Sequence, residues 1–467
     1  ELWVGGPEVS YDAPEFLERY PKVRGVMRAE GERSFPKLAS YYIEESGTLE
    51  QISGITYREA SGDLRENPWA EPVNMDEIPF AYEDLKDFNH KIIYYESSRG
   101  CPFRCSYCLS SIDKRVRFRS LPLVEKELQI FLDAQVPQVK FVDRTFNCNP
   151  KRTVELLQWI LEHDNGITNF HFEIAADITT EEELAIMEKM RPGLIQLEIG
   201  VQSTNPKTVE AIHRTMDLKK LEKVVSRVKS FGNIHQHLDL IAGLPYEDVD
   251  SFQKSFDDVY AMRPDQLQLG FLKVLKGSGM REDAPGYGIN WHERAPYEVL
   301  TTDWLSYGDV LLLKGVEDMV EVYYNSRQFD RTISKIMGGY ASPFLFFKEL
   351  AGFYDREGLA GIGHARIARY EILRRFLSEE KGWELKEYEQ CMVLDLYARE
   401  NLKSRPAFAP DLSPYKEQLK AMTREYGRQV HVEVMEQERG PVYVMFDYRT
   451  RDPLTGDAVM QILEEPE

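Results

Sequence analysis

Six short apolar or β-branched runs, at about 91–98, 138–143, 169–174, 194–201, 234–242 and 266–274, alternate with five amphipathic stretches near 122–135, 151–163, 180–190, 218–231 and 248–262. Strands that alternate with helices specify parallel pairing with right-handed crossovers. This pattern restricts the middle of the chain to an α/β architecture. In sheets that curl toward a barrel, the chemistry gathers at the carboxyl ends of the strands. Polar residues stand at those ends here: Asp143 in Phe141-Val142-Asp143-Arg144-Thr145-Phe146, Glu173 on the third strand, Glu198 and Gln202-Ser203 on the fourth, Asp239 on the fifth and Lys273 on the sixth.

The first strand runs into Ser98-Arg99-Gly100-Cys101-Pro102-Phe103-Arg104-Cys105-Ser106-Tyr107-Cys108. Cysteines spaced C-x3-C-x2-C can hold three irons of a cubic iron–sulfur cluster and leave the fourth iron open. A structural zinc site would want a fourth protein ligand and paired C-x2-C spacing. The segment resembles the cluster loop of radical S-adenosylmethionine (radical SAM) enzymes, including the aromatic Tyr107 before the last cysteine. The resemblance implies a partial (β/α)6 barrel and a [4Fe–4S] cluster on Cys101, Cys105 and Cys108. It also implies reductive cleavage of bound SAM to a 5′-deoxyadenosyl radical.

Further motifs carry the resemblance over residues 88–285. Ile199-Gly200-Val201-Gln202-Ser203 and Asp239-Leu240-Ile241-Ala242-Gly243-Leu244-Pro245 are similar to recurrent family motifs that line the adenosine. By this resemblance Phe103, Tyr107, Asp143, Glu173, Glu198, Gln202, Ser203, Arg214, Ile241 and Gly243 form the SAM site. Tyr107 and Ile241 are expected beside the adenine, Gln202 and Ser203 near the ribose or methionine, and Arg214 at the methionine carboxylate. Asp143-Arg144-Thr145 departs from the Gly-Gly-Glu of many members, which leaves the role of the Asp143 side chain open.

Residues 1–70 read as another domain. A strand at Leu2-Trp3-Val4, a helix at about 13–19, a strand at about 23–28, a helix at about 32–44 and a strand at about 53–58 form half of a doubly wound, Rossmann-like unit. Gly5-Gly6-Pro7 and Glu30-Gly31-Glu32 form turns in which a backbone can lie against a nucleotide-like tail. The segment resembles the second half of the cobalamin-binding domain found before the barrel in one large radical SAM subfamily. The upstream half is expected to lie outside this sequence. The alternative is a cofactor-free cap. A linker spans 71–90, the barrel 91–285 and a further domain 286–467.

The last part is mostly helical, with stretches at Tyr297–Leu313, Val316–Tyr324, Arg327–Gly338, Pro343–Ala351, Gly361–Phe376 and Leu385–Arg399. A hairpin is expected from Gln429–Val434 and Val442–Tyr448 through Glu436-Gln437-Glu438-Arg439-Gly440. The region resembles a C-terminal domain of unknown function behind cobalamin-type radical SAM cores, and its expected role is to enclose the substrate.

Composition limits the partners. The 467 residues carry a net charge of −20, which disfavours nonspecific nucleic-acid binding. Arg115, Arg117 and Arg119 form a local basic stripe that keeps a tRNA substrate open, although pairing with acidic neighbours is the simpler reading. Mean hydropathy is −0.45, and no window approaches the apolar length of a membrane span. Five cysteines, three of them in one loop, point to a reducing compartment, so a cytoplasmic location is expected. A small-molecule or peptide substrate and a flavodoxin- or ferredoxin-type reductant complete the expected partners.

Several residues admit two readings. His235, His237 and Asp239 alternate along one strand face at metal-ligand spacing, yet that face also lines a crowded barrel. Cys148 could donate a hydrogen atom to a substrate radical or be an inert thiol. Cys391 fits a helix core. The parts together point to hydrogen abstraction followed by methyl transfer from methylcobalamin. A radical SAM enzyme without cobalamin and a noncatalytic iron–sulfur sensor are the rival readings.

Overall fold

The computed structural model describes residues 1–463 apart from 83, 89, 90, 114, 428, 438 and 439. The chain divides into two units, 1–186 with 209–217 and 272–303, and 187–208 with 218–271 and 304–467.

In the first unit, β1 (Leu2–Gly5) pairs parallel with β2 (Val23–Met27), and short helices at Pro7–Ser10 and Ala13–Arg19 form the crossover. This is the first crossover of the expected half of a doubly wound unit. The strand after it departs from that plan. β3 (Ile55–Arg58) runs antiparallel to β2, and an unexpected β4 (Leu64–Glu66) pairs antiparallel with β3. The connection runs through helix Gly31–Ile43 and ends at Gly54, whose φ is +79° and whose carbonyl accepts the Arg28 N–H. Val9, Ala13, Leu17, Val23 and Val26 form one small core. Leu38, Leu49, Ile52, Ile55 and Tyr57 form another.

The same unit holds the start of the barrel. β5 (Ile93–Tyr95) is shorter than expected, because the chain bends at 96–97 into a two-residue ribbon of β6 (Ser98–Arg99) with β7 (Arg117–Phe118). β8 (Gln138–Phe141) pairs parallel with both β5 and β9 (Asn169–Ile174). Helices Leu121–Asp133 and Pro150–Glu162 make the connections. Asn149 caps the second of them by accepting the Arg152 N–H at 3.3 Å. Helix Glu181–Met187 follows β9, with Thr180 and Glu183 as a reciprocal capping box.

In the second unit, β10 (Ile195–Gln202), β11 (His235–Ala242) and β12 (Gln266–Phe271) form a parallel ladder, connected by helices Leu218–Phe231 and Val249–Ala261. β10 alternates strictly. Ile195, Leu197, Ile199 and Val201 are buried, while Gln196, Glu198, Gly200 and Gln202 are half-buried on the opposite face. A fully covered parallel strand would be apolar on both faces. The alternation shows a polar interior face, as a barrel lumen requires. Six strands with intervening helices make the α/β partial (β/α)6 barrel that the sequence pattern specifies.

The remainder of the second unit is helical up to residue 426. Helix Tyr307–Val320 begins at a Ser306/Asp309 capping box, ten residues later than expected, because 299–301 is extended. It runs into a π-helical turn, Glu321–Asn325. There Asn325 lies against the outer edge of β12. Its Oδ1 accepts the Leu267 N–H and its Nδ2 donates to the Leu267 carbonyl, both at 2.9 Å. Asp395 on helix Lys386–Arg399 is buried and accepts the N–H groups of Arg331 and Thr332 at the start of helix Asp330–Met337. The expected hairpin is Val430–Gln437 against Gly440–Arg451, and a third strand, Ala458–Leu463, extends it. Turn residues Glu438 and Arg439 lie outside the described residues.

Candidate active site

Gly100 sets the entry to the cysteine loop. Its φ is +97°, and a Cβ there would lie 2.4 Å from the Arg115 carbonyl oxygen, so only glycine fits. Cys101 and Cys105 are buried, and Cys108 is half-buried. The loop is clasped in its middle. The Ser106 N–H donates to the Ile212 carbonyl at 2.9 Å, and the Ser106 carbonyl accepts the Met280 N–H at 2.8 Å. Phe103 and Tyr107 are half-buried beside the cysteines.

Asp143, just past β8, is fully buried. Its Oδ1 accepts the N–H groups of Ser97 and Ser98 at 2.7 and 3.1 Å, and its Oδ2 accepts their hydroxyls at 2.6 and 2.7 Å. The carboxylate is thus committed to the bend between β5 and β6, which gives the side chain the role that the sequence left open. It supports the path into the cysteine loop. Burial pushes the carboxyl up, against these four donors.

Arg214 also reaches the loop. Its Nη1 lies 3.7 Å from the Cys105 Sγ and 3.4 Å from the Tyr107 hydroxyl. Burial raises the Cys105 thiol, and the guanidinium opposes this. Thr145 Oγ1 lies 3.5 Å from the Cys101 Sγ. Cys148 is half-buried in a short 3-10 turn, and burial pushes its thiol up to about 11. It is a protonated thiol at neutral pH. Glu173 is half-buried on β9.

Gly6 has φ +99°, a left-handed conformation that favours glycine. Glu30 and Glu32 are each paired with arginine through their carboxylates, although both residues line the same cavity as Gly31. Glu30 pairs with Arg117 and with Arg99 (3.5 Å), and accepts the Val73 N–H at 3.1 Å. Glu32 pairs with Arg99 at 2.9 Å. Burial pushes the Glu30 carboxyl up, but Arg117 and the Val73 N–H bring it below its ordinary value. Arg117 also bonds Asp113, and Arg119 is buried against Glu127, so these two arginines of the basic stripe are spent inside the fold. One cavity of about 900 Å³ is lined by Pro7, Tyr11, Gly31 and Trp69 from the first segment and by Gly100 and Ser110 from the cysteine loop.

In the second unit, Ser203 is buried and donates to Glu247 Oε1 at 2.7 Å, while Ser255 donates to the same oxygen at 2.8 Å. The Asn205 N–H donates to Ser203 Oγ. Ser203 therefore braces the turn after β10 against the turn after β11, rather than offering a free hydroxyl to a ribose. Gln202 is left-handed (φ +72°), and Gly243 has φ +88°. Ile241 is half-buried. Glu198, His237 and Asp239 place ligand atoms within 4.8 Å of one another, and His237 Nε2 lies 2.8 Å from Asp239 Oδ1. The cluster includes two residues of the spacing read from sequence and adds Glu198 across the ladder.

The Glu247 network carries a pH signature. Burial raises its carboxyl from the ordinary 4.5 to about 7, while Ser203 and Ser255 pull it down. The folded chain therefore holds this proton over a range where the unfolded chain has lost it. Stability is expected to fall as pH rises from about 4.5 to 7, by up to about 3 kcal/mol from this group. Glu247→Gln should flatten that limb in thermal melts taken between pH 5 and 8. An unchanged slope would show that Glu247 ionises normally.

Several of these residues carry no signal in the sequence beyond their types. Ser97-Ser98 and Thr145 matter only because β5 and β8 are neighbours. Glu247 follows the Gly-Leu-Pro motif by two residues, but its neighbours Asp248 and Asp250 are also acidic, so nothing in the sequence sets it apart.

Residues 95–259 match the radical SAM superfamily, and residues 285–440 match a protein of unknown function, DUF4080. An uncharacterized methyltransferase of Pyrococcus horikoshii is 24% identical over 376 residues, 77% of each chain. The 2-(S-pantetheinyl)-carbapenam-3-carboxylate methyltransferase of Streptantibioticus cattleyicolor is 24% identical over 61% of this chain and 45% of its own length. The fold is also similar to the solved structure of the cobalamin-dependent S-adenosylmethionine radical enzyme OxsB with aqua-cobalamin bound. That likeness has a TM-score of 0.56 and 16% identity, over 84% of this chain and 66% of the solved one. The chain thus spans about half of the carbapenam relative and about two-thirds of OxsB. Among the described residues, no helix is long and apolar enough to cross a membrane.

Proposed function

Because this chain is a radical SAM enzyme, we propose that it is a cobalamin-dependent one that methylates a carbon of a small-molecule or peptide substrate. The observation that carries this reading is the cavity of about 900 Å³, where the two N-terminal glycine turns face the cysteine loop within one unit. The methyltransferase relatives agree with it.

The donor set fits the implied groups. Cys101, Cys105 and Cys108 would hold a [4Fe–4S] cluster, in a loop that the Ser106 clasp and the Asp143 carboxylate keep in one conformation. Pro7, Gly31 and Trp69 would border cobalamin. When bound, these groups supply one-electron cleavage of SAM and a transferable methyl group. The protein's part is to bind, orient and exclude water. Arg214 offers a cation to the methionine carboxylate. The family resemblance assigns Tyr107, Phe103 and Glu173 of the first unit, and Ile241, Glu198, Gln202 and Gly243 of the second, to SAM. Cys148, protonated at neutral pH, keeps a hydrogen that it could donate to a carbon radical. Residues 1–70 would be the cobalamin segment, 71–90 a linker, 91–285 the barrel and 286–467 the substrate enclosure. A flavodoxin- or ferredoxin-type protein would supply electrons.

One observation favours a second reading without cobalamin. Glu30 and Glu32 are committed to Arg117 and Arg99, as a docking cap would be. Cofactor content decides between the two. After anaerobic purification with cobalamin supplied, the expected result is about four irons and one corrinoid per chain. About four irons without corrinoid, even after reconstitution, would leave the first segment as a cap.

A further inference from the structure

We infer that Thr145 tunes the reduction potential of the cluster by donating its hydroxyl hydrogen to the sulfur of Cys101. The inference rests on the cluster assignment above. Thr145 Oγ1 is 3.5 Å from the Cys101 Sγ, within sulfur hydrogen-bond range, and both residues are buried. The same oxygen is 2.7 Å from the Arg144 carbonyl. A hydroxyl has one hydrogen to place between these two acceptors. With a thiol at 101, the S–H can donate to Oγ1 while the hydroxyl donates to the carbonyl. A metal-bound thiolate has no hydrogen, so the contact survives only if threonine donates.

Hydrogen bonds to cluster sulfurs are among the settings of its potential. Reduction adds negative charge that the sulfurs share. A donor at a sulfur therefore favours the reduced form, and donors gain strength when the acceptor is charged.

Two features hold Thr145 in place. Asp143, two residues earlier, is fixed by its four donors. The Thr145 carbonyl accepts the Cys148 N–H at 3.1 Å, closing the turn that follows. The hydroxyl belongs to Asp143-Arg144-Thr145, where many related enzymes are expected to read Gly-Gly-Glu, so the donor is a feature of this chain. Arg214 approaches Cys105 in parallel, at 3.7 Å, but as a cation that also faces Tyr107. Threonine offers the cleaner test because its replacement leaves net charge unchanged.

The experiment is a redox titration of the reconstituted full chain, followed by the electron-spin signal of the reduced cluster, with iron and sulfide counted beforehand. Thr145→Val should keep about four irons and make reduction about tenfold less favourable, which is about 59 mV for one electron. Thr145→Ser, which restores the donor, should return most of the shift. A Thr145→Val protein with a full cluster and the wild-type potential would overturn the inference. If valine prevents loading, Thr145→Ala replaces it, because alanine removes the donor without filling its place. Loss of the cluster from both would also overturn it, because a donor that only tunes is not needed for assembly. A wild-type chain that binds no iron would instead defeat the cluster assignment.

Discussion

Cys105→Ser is expected to abolish iron binding and SAM cleavage together. Cys105 is buried at the centre of the C-x3-C-x2-C loop, and Arg214 places a positive charge 3.7 Å from its sulfur. Burial raises the thiol on balance, and that charge opposes the rise. A serine hydroxyl in the same place remains protonated at neutral pH and offers a hard oxygen where soft sulfur is wanted. Two thiolates cannot anchor a cluster that needs three. Iron should fall from about four per chain to well below one, with the brown absorbance and 5′-deoxyadenosine formation lost in step. Persistence of both would show that the cluster is held elsewhere.

Asp143→Ala should be the most destabilising single substitution near the site. It leaves four buried donors, two backbone N–H groups and two hydroxyls, without their acceptor. Unsatisfied buried groups cost about 1–3 kcal/mol each. The hydroxyls can turn to other acceptors but the two backbone groups cannot, so a loss of about 2–6 kcal/mol is expected. That is a large part of a typical 5–15 kcal/mol. Asp143→Asn should be much milder, by about 1 kcal/mol. Its Oδ1 can keep both N–H groups, and its amide can donate to the serine oxygens, because a hydroxyl is also an acceptor. Urea midpoints of the two variants test this. Equal losses would mean that the negative charge, and not the pattern of donors, holds the bend.

The contrast explains what could be read from the sequence. Strand and helix existence through the barrel is periodicity, and β9 and β11 fall within one residue of their expected bounds. Cysteine spacing is local and needs no fold to interpret. Side-chain commitments are different. Glu30 lines the cavity beside the cysteine loop, but its carboxylate is taken by Arg117, 87 positions away. Ser203 was expected at a ribose and instead meets Glu247, 44 positions away. A motif gives a residue's address, but the partner that occupies its polar atoms comes from a segment distant in sequence. The antiparallel direction of β3, the strand β4 and the third C-terminal strand were missed for a related reason. Their direction depends on the path of the connecting segments, not on strand composition. The two π-helical turns, 321–325 and 376–380, have no period that distinguishes them from ordinary helix.

The pairing of Asn325 with Leu267 changes what counts as a module in this protein. A sheet that stops short of closing has a last strand whose outward N–H and C=O groups seek another strand, and such edges recruit other chains. Here a single carboxamide imitates that strand at one position, occupying both backbone groups of Leu267. The π-helical turn delivers it from a region that sequence comparison places in a separate family. A cut between the two families, however clean on paper, would uncover the edge and leave the catalytic half sticky. In grafting or shuffling such enzymes, the heritable unit is therefore the strand together with its imitator, and the useful joint lies beyond residue 325.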